Sequence, residues 1–126
     1  AGELDGIKGP VNSLSPLNTF TAEMKKGATF FFPIPSGHNA VIYVMDGKVQ
    51  VTGDSEVDGK YVAVFNNDCE GFKLEALENT RLFIGTGEPL NEPVASHGPF
   101  VMNNQTELME AFRDYQMGKM GVLIEE

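Results

Sequence analysis

Turn signals recur so often in the first two thirds of this chain that little besides short strands fits between them. Asp46-Gly47 lies between two runs rich in β-branched and aromatic residues, which is a strong hairpin signal, and Asn66-Asn67-Asp68 marks another turn. The runs between such signals predict strands near residues 17–24, 28–33, 39–45, 48–53, 61–66, 72–77 and 80–85. Strands at this spacing without intervening helices predict an all-β sandwich or barrel.

The two ends of the chain follow other patterns. Residues 1–16 are rich in Gly, Pro, Ser and Asn, which predicts an irregular lead-in. Near the C-terminus the apolar residues take helical spacing, and Asn104 with Glu107 forms a capping pair ahead of them. We therefore expect one domain over residues 1–126, with barrel strands over 17–86, a crossing segment over 87–104 and one α-helix over 105–117 that ends at Gly118.

Charge and composition exclude several classes of partner. The formal net charge is −9, which argues against a large surface for nucleic acid or an anionic membrane, since both require a basic patch. No apolar run has the length of a membrane-spanning helix. The single cysteine, Cys69, allows no internal disulfide, and its acidic neighbours predict an unreactive thiol. These observations predict a cytoplasmic protein.

One spacing carries a family resemblance. The chain resembles the first motif of the cupin family in one spacing, which runs Gly27, five residues, Pro33-Ile34-Pro35, four residues, Ala40, six residues and Gly47. This resemblance implies a jelly-roll β-barrel. In metal-binding cupins, histidines occupy the positions of Pro33 and Pro35 and a glutamate that of Ala40. Proline and alanine side chains carry no lone pair for a metal. The resemblance therefore implies the cupin fold with no metal site and no catalytic residue in this chain.

A second resemblance covers nearly the whole chain. Two stretches resemble the C-terminal signature of pirins, a family whose members contain two cupin barrels. These stretches are Gly87-Glu88-Pro89-Leu90-Asn91-Glu92-Pro93 and His97-Gly98-Pro99-Phe100-Val101-Met102-Asn103. In that family the first barrel holds iron, and the reported activities are quercetin 2,3-dioxygenation and an iron-dependent transcriptional cofactor role. This chain resembles the second, metal-free barrel. Nothing in it corresponds to the first barrel, so iron is expected only in that domain of an intact pirin.

These resemblances leave three functions open. The first is a non-catalytic structural or interaction domain that packs against a metal-binding cupin barrel, another protein partner or a second copy of itself. The second is a part of an iron-dependent flavonol (quercetin) 2,3-dioxygenase whose metal site lies in an N-terminal cupin domain. The third is a small-ligand barrel that uses the lumen between Phe31 and Ile42. Whether an intact protein is an enzyme stays open.

Strand parity and the two histidines supply the candidate site residues. If the former ligand positions face the lumen, then Phe31, Pro33, Pro35, Ala40, Ile42 and Val44 point inward, because side chains alternate along a strand. The residues expected to face outward, and to be covered by a partner or by the chain ends, are Phe30, Phe32, Val41, Tyr43 and Met45. His38 is interpreted as a turn or rim residue, with a ligand contact as the alternative. His97 is expected to fix the crossing segment by hydrogen bonds or to contact a partner. The other residues assigned to the crossing segment or an interface are Phe100, Met102, Phe112 and Tyr115.

Overall fold

A computed structural model of the chain describes residues 1–53, 55–68 and 70–121. Cys69 lies outside the described residues. The chain forms two compact units, one over Ala1–Pro89 and one from Leu90 onward. The strands of the first unit are β1 (Glu3–Leu4), β2 (Ile7–Lys8), β3 (Leu17–Met24), β4 (Thr29–Pro33), β5 (Asn39–Asp46), β6 (Lys48–Val51), β7 (Ser55–Asp58), β8 (Val62–Phe65), β9 (Gly71–Ala76) and β10 (Thr80–Gly87).

Every strand predicted from the sequence is present. The structure also contains β7, which was not predicted. This strand has no clear apolar pattern in the sequence, because Val57 is its only buried residue. The structure also adds β1 and β2, which form a small hairpin inside the segment predicted to be irregular. The Asp5-Gly6 turn between them has positive φ at both residues, as such tight hairpins require.

Two four-stranded antiparallel sheets form the body of this unit. One has the order β3-β10-β5-β8 and the other the order β4-β9-β6-β7. From β3 to β10, consecutive strands lie in different sheets, except for β6 and β7, which pair with each other as a hairpin. The predicted all-β sandwich of jelly-roll type, with one helix after it, is confirmed.

The space between the sheets is filled by aromatic and branched side chains. Phe72 stacks on Phe65 with ring centroids 4.3 Å apart, and on Phe32 at 5.5 Å. Phe20 meets Phe32 edge-on at 5.5 Å. Because Phe65 and Phe20 belong to the first sheet while Phe32 and Phe72 belong to the second, these rings join the two sheets. Aromatic pairs of this geometry contribute about 0.5–1.5 kcal/mol each beyond their burial.

The predicted parity is right for β5 and wrong for β4. On β5, Ala40, Ile42 and Val44 are buried between the sheets, as expected. On β4, Phe32 is 1% exposed, whereas Phe31 is 59% exposed and lies on the outer face. The cause is the register with β9, which places Phe32 directly opposite the buried Phe72. Phe30 likewise packs against the core rather than facing outward.

The hairpin between β5 and β6 depends on Gly47. Its φ is +86°, and a Cβ added there would lie 2.3 Å from the carbonyl oxygen of Asn79. Any side chain would therefore collide with backbone that cannot move aside. The glycine closing the predicted motif thus has a steric role.

The second unit contains a hairpin and a helix. Its elements are β11 (Ala95–His97), β12 (Phe100–Met102) and α1 (Gln105–Gln116). The predicted cap is confirmed, since the Glu107 N–H donates to Asn104 Oδ1 at 3.0 Å, while Glu107 Oε2 accepts from the N–H of Asn103. The helix ends at Met117, ahead of Gly118 with φ +73°. No helix among the described residues is long and apolar enough to cross a membrane.

The corrected parity of β4 predicts a large difference between two neighbouring phenylalanines. We expect Phe32→Ala to lower the free energy of unfolding by about 3–5 kcal/mol, because it empties space between the sheets. Phe31→Ala is expected to change it by no more than about 0.5 kcal/mol, as at an ordinary surface position. Urea unfolding followed by circular dichroism measures both. Equal losses of stability in the two variants, or a larger loss at Phe31, would contradict this parity and indicate that Phe31 faces inward.

Candidate functional site

The three positions that hold metal ligands in metal-binding cupins do not converge in this chain. Pro33 and Pro35 are exposed, whereas Ala40 is 3% exposed and lies between the sheets. The expectation that both prolines face the lumen is wrong. The buried positions here are Phe32, in β4, and Ile34, just after the strand ends. Ligands introduced at all three positions would point in different directions.

Aromatic rings occupy the interior beside Ala40. The register places Ala40 opposite Phe65 of β8 on one side and opposite Thr86 of β10 on the other. Phe65 in turn stacks on Phe72. Ile42 is fully buried in the same layer, but Phe31 faces outward, so the proposed lumen between these two residues does not exist. The interior is packed rather than open, as in other small barrels.

His38 is a turn residue with a buried side chain. Its N–H donates to the carbonyl of Pro35 at 3.1 Å, which confirms the predicted turn. The rim interpretation is wrong in one respect, since the residue is only 8% exposed and shares the inward parity of Ala40. Within the described residues, its Nδ1 and the hydroxyl of Thr86 are buried polar atoms without a hydrogen-bond partner.

This set of residues does not fit an iron ion. A non-haem iron site requires several imidazole and carboxylate ligands that meet at one point. Across residues 1–53, 55–68 and 70–121, no group of three or more His, Cys, Asp or Glu side chains is placed to hold a metal. Between the former ligand positions Pro35 and Ala40, His38 offers one nitrogen lone pair, and a phenylalanine stack fills the interior beside Ala40.

The outer face of the sheet β4-β9-β6-β7 is polar. Lys48 makes ion pairs to Glu56 at 2.6 Å and to Asp58 at 3.4 Å across the β6–β7 pair. These carboxylates raise the pKa of the Lys48 ammonium group. Phe31 is the large apolar side chain on this face, and it lies opposite Lys73. Polar outward residues alternating with buried apolar ones are typical of a sheet face in contact with water.

The outer face of the other sheet is apolar over β10, β5 and β8. The register aligns Phe83 with Tyr43 and Tyr43 with Val62, and in the next row it aligns Val41 with Val64. Val64 is 78% exposed and Val62 57% exposed, while the other three side chains are half-buried. We call this surface the outer apolar patch; its members are Val41, Tyr43, Val62, Val64 and Phe83. Met45 also faces outward and is half-buried, as predicted.

Charge at the end of this sheet is neutralised locally. Asp46 accepts from Lys60 Nζ at 3.1 Å and from Arg81 Nη2 at 2.9 Å. The Lys60 ammonium group and then the Arg81 guanidinium hold the pKa of this carboxyl below its usual value. An open surface groove of ≈ 370 Å³ runs beside them. It lies between Asp46, Arg81 and the end of β3, outside the sandwich interior.

An aromatic cluster holds the second unit together. Phe112 of the helix meets Phe100 at 4.9 Å and His97 at 5.1 Å, and Phe100 also contacts Tyr115 at 5.9 Å. His97 therefore fixes this segment by ring packing. Met102 is half-buried at the end of β12. A contact of these residues with a partner stays a prediction.

Sequence reasoning missed the residue that ties the crossing segment by hydrogen bonds. Asn103 Nδ2 donates to Glu92 Oε2 at 2.9 Å and to the carbonyl of Pro93 at 3.0 Å. It also missed Phe83, whose ring lies 3.3 Å from where a Cβ on Gly85 would be. The run from Tyr61 to Phe65 is apolar on both faces of the strand, and this pattern could have identified Val62 and Val64 as members of the patch.

Comparisons with known proteins agree with this fold. Residues 19–121 match the pirin C-terminal cupin domain family. A crystal structure of quercetin 2,3-dioxygenase from Acinetobacter baumannii superposes with a TM-score of 0.89 and 39% identity, over 98% of this chain and 43% of that chain. The pirin-like protein of Solanum lycopersicum is 34% identical over 124 residues, and mouse pirin is 32% identical over 125 residues. The alignments with the tomato and mouse proteins each cover 96% of this chain and 43% of the relative.

The fold and its filled interior define a cupin barrel. More specifically, the chain belongs to the pirin C-terminal cupin domain family. It spans less than half the length of the curated relatives that it matches.

The divergent directions of the three ligand positions predict that restoring the ligands does not restore a site. We expect the triple variant Pro33→His, Pro35→His, Ala40→Glu to bind no stoichiometric iron or nickel, because two side chains face solvent and the third is buried. Elemental analysis after metal loading and desalting measures this. The unsubstituted chain and the Ala40→Glu variant are the controls. Roughly one tightly held ion per chain in the triple variant would contradict the geometry.

Proposed function

We propose that this chain is the non-catalytic cupin barrel of a pirin-type protein and that it acts by protein–protein contact. Its partner is a second, metal-binding cupin barrel or another protein that covers the outer apolar patch. The observation that carries this proposal is the contrast between the two outer sheet faces, one polar and ion-paired, the other apolar.

The interior supports a role without chemistry. The positions of metal ligands hold Pro33, Pro35 and Ala40, and their directions diverge. The phenylalanine stack takes the place that a substrate would need inside the barrel. Catalytic groups and iron therefore belong to another domain of an intact relative in this proposal.

The outer apolar patch supports a role in binding. Burying a valine or larger side chain stabilises an association by about 1.5–3 kcal/mol before the costs of binding. Tyr43 stands in the middle of this patch, between Phe83 and Val62, and aromatic residues at the centre of an interface often carry most of its binding energy. The patch also contains no charged side chain that a partner would have to neutralise.

A second candidate function is a supporting part of an iron-dependent quercetin 2,3-dioxygenase. The similarity to the Acinetobacter baumannii protein of that name favours it. In this case the barrel shapes or stabilises the substrate pocket of the metal-binding domain from outside. The two functions share the same contact and differ in whether catalysis in the other domain depends on it.

The proposal predicts that the patch binds a metal-binding barrel supplied separately. A suitable partner is the part of the Acinetobacter baumannii dioxygenase that lies outside the region matched by this chain. We expect calorimetry to detect binding, and Tyr43→Glu to weaken it at least about tenfold, because an unpaired carboxylate would be buried in the interface. Phe31→Glu, an aromatic-to-glutamate change on the polar face, is the matched control and should bind normally.

Quercetin-dependent oxygen consumption by the same mixture separates the two candidate functions. If adding this chain raises the rate of oxygen consumption, and the Tyr43→Glu variant does not raise it, the result favours the auxiliary role in the dioxygenase. An unchanged rate despite binding supports a purely structural role. Equal loss of binding in the Tyr43 and Phe31 variants would contradict the assignment of the contact to the outer apolar patch.

A further inference from the structure

Three of the four edges of the two four-stranded sheets are covered or protected. Ala1 covers β3, since its nitrogen donates to the carbonyl of Thr19 at 3.2 Å and its carbonyl accepts from the N–H of Thr19 at 3.0 Å. The edge strand β4 carries Pro33, which cannot donate to another strand. The edge strand β7 carries Glu56 and Asp58. Proline, charge and coverage are the usual ways in which proteins prevent edge-to-edge pairing.

The fourth edge, β8, has none of these devices. It pairs with β5 on one side, and no strand of the described residues lies on the other. Residues 61–67 contain neither a charge nor a proline. Val62 and Val64 are exposed on its outer side, where they form one border of the outer apolar patch. Such a strand is a template for the addition of another strand.

We infer that β8 is the site at which a second copy of this chain adds edge to edge, in antiparallel orientation about a two-fold axis. The inference rests on the proposed interaction role and names one further partner for it. The result is one continuous sheet through both copies, with the two outer apolar patches joined side by side.

The sequence of β8 is self-complementary in one register. Opposed residues in an antiparallel pair face the same side, so the two-fold axis must pass midway between one residue and the same residue of the other copy. With Ala63 opposite itself, Val62 of one copy lies opposite Val64 of the other on the outer face. On the inner face, Tyr61 of one copy lies opposite Phe65 of the other. Aromatic and β-branched cross-strand pairs of this kind stabilise sheets.

Charge favours a second copy at this edge over any other described edge. Two chains of net charge −9 repel each other, and an interface that contained carboxylates would add to the repulsion. The uncharged run over residues 61–67 brings no carboxylate of one copy directly opposite a carboxylate of the other. At β7 the same pairing would oppose Glu56 and Asp58 to acidic residues of the second copy.

The test measures the mass of the 126-residue chain by light scattering and native mass spectrometry. A dilution series from about 1 mM to about 1 µM covers the range in which weak interfaces dissociate. We expect a dimer that dissociates on dilution, and we expect Val64→Asp to weaken it at least about tenfold, since a carboxylate replaces an apolar contact in both halves of the interface. Val101→Asp, at an exposed valine of β12, is the matched control and should remain a dimer.

A charge exchange tests the register. Mixing a Val62→Lys chain with a Val64→Asp chain should produce a heterodimer that exceeds both homodimers, because lysine and aspartate lie opposite each other only in the Ala63-centred pairing. Loss of the dimer in the Val101→Asp control, no preference for the heterodimer, or a monomeric unsubstituted chain at about 1 mM would overturn the inference.

A further variant separates this inference from the proposed function. Tyr43→Glu alters the outer face and leaves the β8 edge intact, so the self-associated mass should persist while binding to the metal-binding barrel is lost. A dimer that Tyr43→Glu dissociates as readily as Val64→Asp would place the contact on the face and overturn the edge pairing. Failure of the metal-binding barrel to bind at all would overturn the proposed function and leave the edge pairing standing.

Discussion

The stacking of Phe72 between Phe32 and Phe65 is the contact on which the rest of the structure depends. It joins the two sheets, since Phe65 comes from β8 and the other two rings from β4 and β9. It also determines which residues of β4 face inward, because Phe32 must lie opposite Phe72. Pro33 and Pro35 are therefore directed to solvent, and the space beside Ala40 is filled. The rings that stabilise this barrel therefore also fill its interior.

The proposed function lies on the surface of the barrel, because side chains fill its interior. The two outer faces differ in the way expected if only one of them meets water: ion pairs cross the β6–β7 pair, whereas valine, tyrosine and phenylalanine occupy the outer side of β5, β8 and β10. The relatives named as pirins or as a quercetin 2,3-dioxygenase are more than twice as long as the matched region. In the proposed function, this barrel lies beside another domain in a protein of that length.

The sequence predicted the features that local rules decide. Asp46-Gly47 marked a hairpin, and Asn104 with Glu107 marked the start of the helix, because each depends on residues a few positions apart. Parity on β4 could not be predicted in this way. Three consecutive phenylalanines, residues 30–32, give no alternation, and the partner that decides between them lies on a distant strand. The burial of His38 and the edge position of β8 also depend on topology, which no local pattern contains.

The most direct measurement of the central claim is methyl NMR on the chain with labelled valines. The account predicts that the part of the Acinetobacter baumannii dioxygenase outside the region matched by this chain shifts or broadens the methyl signals of Val41, Val62 and Val64. It also predicts that quercetin leaves the signals of the interior residues Val44 and Val49 unchanged. Shifts of the interior valines with quercetin, and none at the outer apolar patch with the protein partner, would contradict a closed barrel that works through its outer face.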